Sequence, residues 1–386
     1  MTEPSTRLSP AATWARLALV VLLLFIFLVG IKGLGGGFKA LGKDVLDSFF
    51  MATENPFMGL VIGILGTTLM QSSSVSTSMI VALVAAPENP LPVAHAIPMI
   101  MGANIGTTVT ATLVALGHLG NPDEFKRAFA AATCHDFFNF MAVALLLPLE
   151  VATGFLQKAS GWLAHALMSW GTVGAKPLPN PLKVALKAVI HPIESLLQQV
   201  SDNPRVVAVL MIVVSAAIIL VSLLFIVRTS RVLAEQRMES MVGRLLDANP
   251  SLGIVLGLVM TAMVQSSSIT TSVLVPLAGA GLLRTAQVFP IMLGANLGTT
   301  VTALIASMAA PPETAEVAVQ VALTHLLFNF MGMLLVYPAK VTRQIPIRLA
   351  DWLARVAVRS RRYALVWVVA LFYGVPALLV AVSHWL

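Results

Sequence analysis

Apolar residues run in long blocks along the chain. The blocks at 17–31, 93–117, 125–148, 207–227, 286–309, 315–338 and 364–384 each predict a membrane-spanning helix. Two more blocks, 55–84 and 249–278, are interrupted midway by a polar knot, Gln71–Ser74 and Gln265–Ser268. From Pro56 to Gln71 is 15 residues, about 22 Å of helix. From Ser74 to Pro87 is another 13, about 20 Å. The whole would overshoot a hydrocarbon core of about 30 Å, and each half falls short of it. The spacing therefore predicts a re-entrant helical hairpin with Gln-Ser-Ser-Ser at its tip. Broken backbone at that depth is tolerated only where it is buried in protein or lines a cavity.

The pattern occurs twice. "NPFMGLVIGILGTTLMQSSSVSTSMIVALV" (55–84) aligns without gaps to "NPSLGIVLGLVMTAMVQSSSITTSVLVPLA" (249–278), with 14 of 30 positions identical. "PMIMGANIGTTVT" (98–110) matches "PIMLGANLGTTVT" (290–302) at nine of 13, and "HDFFNFM" (135–141) matches "HLLFNFM" (325–331) at five of seven. Repetition on this scale is a duplicated unit. Each unit reads as a span, an amphipathic stretch (38–50; 231–247), a Gln-Ser-Ser-Ser hairpin and two further spans. Three full crossings per unit place the second unit upside down relative to the first. The expected fold is an all-α polytopic membrane protein of two inverted-topology repeats. Its first repeat is 1–148 with hairpin 55–86, and its second is 206–340 with hairpin 249–281. An amphipathic connection, 149–205, joins them, and 341–386 adds an amphipathic helix and a final transmembrane helix.

Composition agrees: 58% of residues are hydrophobic and 11% charged, against about a quarter charged in soluble domains. The net charge of +7 calls for no nucleic-acid partner. With the N-terminus in the cytoplasm, 16 of the 24 Lys and Arg fall on the cytoplasmic side, as positive-inside orientation requires. The first apolar block is read as a retained span rather than a signal-peptide core, because it has a counterpart in the second unit. The one cysteine, Cys134, excludes an internal disulfide and reads as a small packed residue. The amphipathic stretches 151–169, 182–200 and 346–358 suit the membrane interface or a homodimer contact.

The knots have a definite chemistry. The second half of each hairpin begins at the serines, where free N–H groups and the positive dipole end favour an anion. Serine hydroxyls both donate and accept, which suits a partly protonated oxyanion. The first half ends at the glutamine, where free carbonyls with Gln and Thr oxygens favour a hard cation such as Na+. "GANIGTTVT" and "GANLGTTVT" add Asn104 and Asn296, also near mid-depth, and glycines that permit a break or a close approach. No Lys, Arg or Asp occurs in these motifs, so a bound oxyanion held by neutral donors can also leave. Thr77 and Thr271 are as suited to back-bonding on their own helix as to ligation. His135 and His325 read as buried hydrogen-bonding residues, and Asn139 and Asn329 as ties between helices. Asp136 has no counterpart, since the second unit has Leu326. A carboxylate within a span is a functional hypothesis: an extra cation site, a proton-linked group, or a partner for His135 or Lys126.

The paired "QSSS" knots, the paired "GAN(I/L)GTT" segments and "FKRAFAAATCHDFFNF" (125–140) resemble the type II sodium-dependent inorganic phosphate cotransporters, in a bacterial-type form. The resemblance covers roughly 55–160 and 205–340. It implies Na+-driven import of inorganic phosphate by alternating access, with two or three co-transported Na+. On that basis the phosphate site involves Ser72, Ser73, Ser74, Ser266, Ser267 and Ser268, with Asn104 and Asn296. Sodium ligands would come from Gln71, Gln265, Thr107, Thr108, Thr110, Thr299, Thr300 and Thr302. Asp136 matches the family aspartate that goes with an additional Na+ and electrogenic transport. Val75 stands where some relatives have Thr, which bears on side-chain Na+ ligation there. The 149–205 connection lacks the cysteines and sequons of the animal members' large loop. The implied setting is a cell membrane, inner or plasma, with phosphate, sodium and lipid as partners.

Other readings share some of these features. A Na+-coupled carrier of arsenate, sulfate or a carboxylate uses the same physics. A channel conflicts with two closed hairpin tips. An intramembrane serine hydrolase needs a base near its nucleophile, and duplicated serines have no catalytic logic. The sequence is read as a transporter and not an enzyme.

Overall fold

The structure is a computed structural model that describes residues 10–41, 53–172, 181–246 and 252–383. The regular structure of its described residues is helical, with no strand among them. In order they form α1 (Pro10–Leu41), α2 (Pro56–Met70), α3 (Ser73–Val84), α4 (Val93–Thr107), α5 (Val109–Leu116) and α6 (Pro122–Thr153). Then follow α7 (Phe155–Thr172), α8 (Pro181–Gln198), α9 (Pro204–Leu246), α10 (Leu252–Val264), α11 (Ser267–Gly279) and α12 (Thr285–Ser307). The chain ends with α13 (Ala315–Val336), α14 (Lys340–Arg359), α15 (Arg361–Val369), a π turn (Ala370–Gly374) and α16 (Val375–Ser383).

Among the described residues, seven helical segments are long and apolar enough to cross a membrane: Ala11–Leu34, Val93–Leu116, Pro122–Thr153, Pro204–Ile226, Thr285–Ser307, Pro312–Val336 and Arg362–Ala381. They coincide with the seven expected spans. The four shorter apolar helices, α2, α3, α10 and α11, are the arms of the two broken helices. Asn55 caps α2, its side chain accepting from the Phe57 amide at 2.9 Å, with Pro56 in the first helical position where a missing N–H costs nothing.

Duplication in sequence becomes duplication in packing. In the first unit α2 lies against α4 so closely that a Cβ on Gly63 would collide with the Met99 carbonyl. In the second, α10 lies against α12 and a Cβ on Gly257 would collide with the Ile291 carbonyl. The glycines thus serve close approach. Only the first copy of the Gly-Thr-Thr segment is also broken, between α4 and α5 at Thr108, whereas α12 runs through.

The open end of the α2–α3 pair lies against the 308–314 connection, where the Thr314 hydroxyl donates to the Ala85 carbonyl at 2.8 Å. The open end of the α10–α11 pair lies against the start of α6, where Arg127 Nε donates to the Gly279 carbonyl at 2.8 Å. The first span of each unit pairs with the other, Leu23, Phe27 and Ile31 of α1 sharing a buried cluster with Ile219, Leu223 and Ile226 of α9. Between them these contacts bring both broken helices into one polytopic bundle.

Some segments differ from expectation. The stretch 231–247 is not a separate amphipathic element through 246: α9 continues unbroken from the span, since no Gly-Pro or Asn-Pro punctuation stops it. Most of 38–50 and the start of the second hairpin, Asn249–Pro250, lie outside the described residues. The amphipathic segment near the C-terminus is longer than 346–358. As α14 it buries Pro346, Ile347, Ala350, Leu353, Ala354 and Ala357, spaced three or four apart on one face.

Candidate functional site

Each knot is two residues of non-helical backbone between helices. Gln71 (φ 53°) and Gln265 (φ 58°) both adopt the left-handed conformation that closes the preceding helix. That conformation costs a non-glycine residue about 1–2 kcal/mol. It persists where surrounding structure over-determines it, commonly at functional sites. The next residue is extended in both copies and caps the following helix. Ser72 Oγ accepts from the Val75 amide at 3.3 Å, and Ser266 Oγ from the Ile269 amide at 3.4 Å. So each tip presents two helix ends, carbonyls of one arm beside N–H groups of the other. The arms are tied by a hydroxyl pair, Thr67 to Ser76 at 2.8 Å and Thr261 to Thr270 at 2.8 Å.

The two tips meet. Ser74 Oγ donates to the Gln265 main-chain carbonyl at 3.3 Å and lies 3.4 Å from the Thr302 hydroxyl. Thr302 in turn donates to Gln265 Oε1 at 2.8 Å, and Gln265 Nε2 donates to the Ala262 carbonyl at 2.5 Å. All three residues are buried or nearly so. Of the residues selected from sequence, the structure therefore brings Ser74, Gln265 and Thr302 into direct contact. The equivalent trio Ser268, Gln71 and Thr110 makes no such contact: Gln71 is exposed, and the Thr110 hydroxyl is buried with no partner among the described residues.

The remaining threonines bond their own helices. Thr107 donates to Ala103 O, Thr108 to Ile105 O, Thr299 to Ala295 O and Thr300 to Leu297 O, at 2.7–3.0 Å. Their oxygens keep a lone pair for a cation. Thr77 likewise bonds Ser73 O at 2.8 Å and Thr271 bonds Ser268 O at 3.2 Å, the back-bonding alternative.

A buried amide ladder also joins the repeats. His135 Nε2 and Asn296 Oδ1 are 2.8 Å apart, Asn296 Nδ2 donates to Asn139 Oδ1 at 2.9 Å, and Asn139 Nδ2 donates to the Asn104 carbonyl at 2.7 Å. Asn139 is thus a helix tie, as expected. Asn329 is not: its amide bonds only His325 O of its own helix, at 3.0 Å.

Asp136 sits in a separate cluster. Its Oδ2 accepts from Trp367 Nε1 at 3.0 Å and from the Thr112 hydroxyl at 3.4 Å, while Oδ1 is buried without a partner among the described residues. The pairing with His135 or Lys126 weighed from sequence does not occur. The Thr108 hydroxyl also faces the carboxylate. One anionic group among neutral hydroxyls, with a free oxygen, fits a single small cation. Thr112 and Trp367 were not selected from sequence. Thr112 has Leu304 at its equivalent position, and Trp367 lies outside the duplication, so neither carried a repeat signal.

A model of the family described as Na+/Pi-cotransporter matches residues 26–169 and 218–350. The chain is 33% identical to sodium-dependent phosphate transport protein 2A of Rattus norvegicus, over 99% of this chain and 70% of that protein. It is 34% identical to the 2A protein of Mus musculus, over 95% of this chain and 68% of the relative. It is 30% identical to sodium-dependent phosphate transport protein 2B of Homo sapiens, over 94% of this chain and 64% of the relative. No solved structure matches the chain.

Proposed function

Because the chain belongs to the Na+/Pi-cotransporter family, we propose that it is a sodium-coupled symporter that imports inorganic phosphate by alternating access. The family consists of transporters, so the serine hydrolase reading is set aside. The observation that carries the proposal is the contact of the two broken-helix tips through Ser74, Gln265 and Thr302. Two helix N-termini with capping serines favour hydrogen phosphate. Carbonyls at the left-handed glutamines and the threonine hydroxyls supply neutral oxygen to Na+. In this reading Ser72–Ser74 and Ser266–Ser268 hold the anion, with Asn104 and Asn296 close behind. Gln71, Gln265 and the Gly-Thr-Thr threonines serve sodium.

Cation binding beside the serines raises the local positive potential, so sodium prepares the pocket for the anion. The two broken helices would be re-entrant hairpins of inverted repeats. Their open ends meet different connections, 308–314 for one and the start of α6 for the other, which supports entry from opposite faces. Asp136 would hold a further Na+ through Oδ1, with Thr108 and Thr112 as neutral ligands. One more positive charge per cycle would then make transport electrogenic. The distribution of basic residues supports a cytoplasmic N-terminus in a cell membrane.

Uptake of labelled phosphate into proteoliposomes tests the reading: it should require inward sodium, and sodium-independent uptake would overturn it. Competition by arsenate and sulfate separates phosphate from other oxyanions. Asp136→Gly should abolish the transport current while leaving residual uptake.

A further inference from the structure

The repeats are alike in sequence but not in bonding, and the difference is systematic. His135 reaches Asn296 and Asn296 reaches Asn139. Repeat equivalence pairs His135 with His325, Asn139 with Asn329 and Asn104 with Asn296. The mirror contacts would be His325 to Asn104, and Asn104 to Asn329. Neither is formed. Both ring nitrogens of His325 and Oδ1 of Asn329 are buried with no partner among the described residues. Asn104 Nδ2 is spent on its own helix, at Ile100 O, 3.2 Å away.

The tips show the same imbalance in the same direction. Ser74, Gln265 and Thr302 are joined, while the Thr110 hydroxyl is unpartnered and Gln71 is exposed. Gln265 is only 7% exposed. Leaving several buried polar groups unpaired is costly unless another arrangement uses them. One ring nitrogen is unpartnered in both histidines, but His325 Nε2, Asn329 Oδ1 and the Thr110 hydroxyl, whose counterparts are bonded, are the groups that the mirror-image contacts require.

We propose that the ladder is an alternating latch: in this state the His135 half is closed, and in the opposite access state the His325 half closes instead. On opening, Asn296 releases His135 and Asn139. Asn104 turns from Ile100 O to join His325 through Oδ1 and Asn329 through Nδ2. Asn296 Nδ2, once released, takes the Met292 carbonyl of its own helix, as Asn104 takes that of Ile100 in this state, so three bonds are exchanged for three and the two states stay close in energy, which a bistable element requires. His135, His325, Asn139 and Asn329 are then positioning residues. They act through α6 and α13, and set which tip is buried. The inference rests on the alternating-access reading above.

Accessibility of the two tips tests it without any transport. Cys134 is the only cysteine, so Cys134→Ala gives a background for single reporters, Gln71→Cys or Gln265→Cys. Each is purified in lipid nanodiscs in sodium-free buffer, and its labelling rate by a hydrophilic maleimide is measured. Position 71 should label faster than 265. His135→Leu removes a bond present only in this state. It should lower the 71-to-265 ratio about 2- to 10-fold, as one net hydrogen bond allows. His325→Leu removes a bond absent from this state, and should not lower the ratio. His135→Gln, whose amide can still donate, should restore it. A ratio that does not fall in His135→Leu, or that falls equally in His325→Leu, overturns the latch. If His135→Leu does not survive purification, Asn139→Ala against Asn329→Ala carries the same opposed prediction. Sodium-dependent uptake alongside unchanged labelling would sink the latch alone. Failed uptake would sink the functional reading and leave the labelling result standing.

Discussion

Ser74 donates a hydrogen bond to the main-chain carbonyl of Gln265, 191 positions away in the other repeat. That carbonyl belongs to the broken end of α10, where the helix offers no partner. A serine of one knot therefore caps the carbonyl end of the other. The two polar interruptions are joined through Ser74, Gln265 and Thr302, while Gln71 stays exposed.

Thr302 donates to Gln265 Oε1 at 2.8 Å in a buried setting. Thr302→Val keeps the shape and removes the hydroxyl, so the amide oxygen is left without its donor. That costs about 1–3 kcal/mol. If Gln265 orientation sets sodium affinity, sodium activation of phosphate uptake should shift to roughly 5- to 160-fold higher concentration. Ser307→Ala, which removes only a bond from the same helix to its own Leu304 carbonyl, should shift it less. The comparison is read from sodium titrations of initial uptake rate.

Trp367 lies 5.4 Å from the Phe137 ring and 6.4 Å from that of Phe140, and its indole N–H serves Asp136. Trp367→Phe keeps the aromatic packing and deletes one donor to the buried carboxylate, a loss of about 1.5–3 kcal/mol for a charged acceptor. The variant should melt lower than the parent in sodium-free buffer. If Na+ binds Asp136, sodium should restore more stability to the variant than to the parent. Equal sodium-induced shifts in the two proteins would count against Asp136 as a sodium ligand.

Gly63 and Gly257 are where α2 meets α4 and α10 meets α12, each with a carbonyl occupying the place a Cβ would need. Gly63→Ala or Gly257→Ala must push the helices apart, with overpacking costs of about 1–3 kcal/mol or more. Gly66 has nothing within 4 Å of a Cβ, so Gly66→Ala is the control. Thermal melting in detergent should show a clear fall for the first two and little change for the third.

Length and periodicity carried the fold. The arms Pro56–Met70 and Ser73–Val84 fall inside the expected 55–86 segment and break at its Gln-Ser-Ser-Ser knot, because polar residues there interrupt an otherwise apolar helix. The site was legible as residue types, in the serines, glutamines and threonines, but not as contacts. Neither Gln71 nor Gln265 advertised a left-handed backbone, since Gln has no intrinsic preference for it. Asp136 found Trp367 across 231 positions, on a helix that the duplication does not repeat. The asymmetry between the repeats was beyond reach for a physical reason. Two near-identical motifs have the same local preferences, and only tertiary packing decides which copy is engaged.

Asp351 on α14 lines a cavity of about 320 Å³ with Arg127, Gly281 and Arg284, at the open end of the α10–α11 pair. Partial burial pushes its carboxyl above the usual carboxylate range, and the charges of Arg355 and Lys126 pull only partly the other way. A carboxyl raised in the folded state binds its proton more tightly there than in the unfolded chain. Its stabilising contribution is therefore present at low pH. It is lost as pH rises from the unfolded value, about 3.9, through the raised folded value. Asp351→Asn keeps the size and removes the ionisation. Melting temperature of the parent should fall across that window relative to the variant, with the two curves parallel above and below it. A parent that instead gains stability over the variant as pH rises would mean that Arg127, Arg355 and Lys126 outweigh burial. The carboxylate would then be an ion-pair partner at the open end of the α10–α11 pair rather than a group strained by its surroundings.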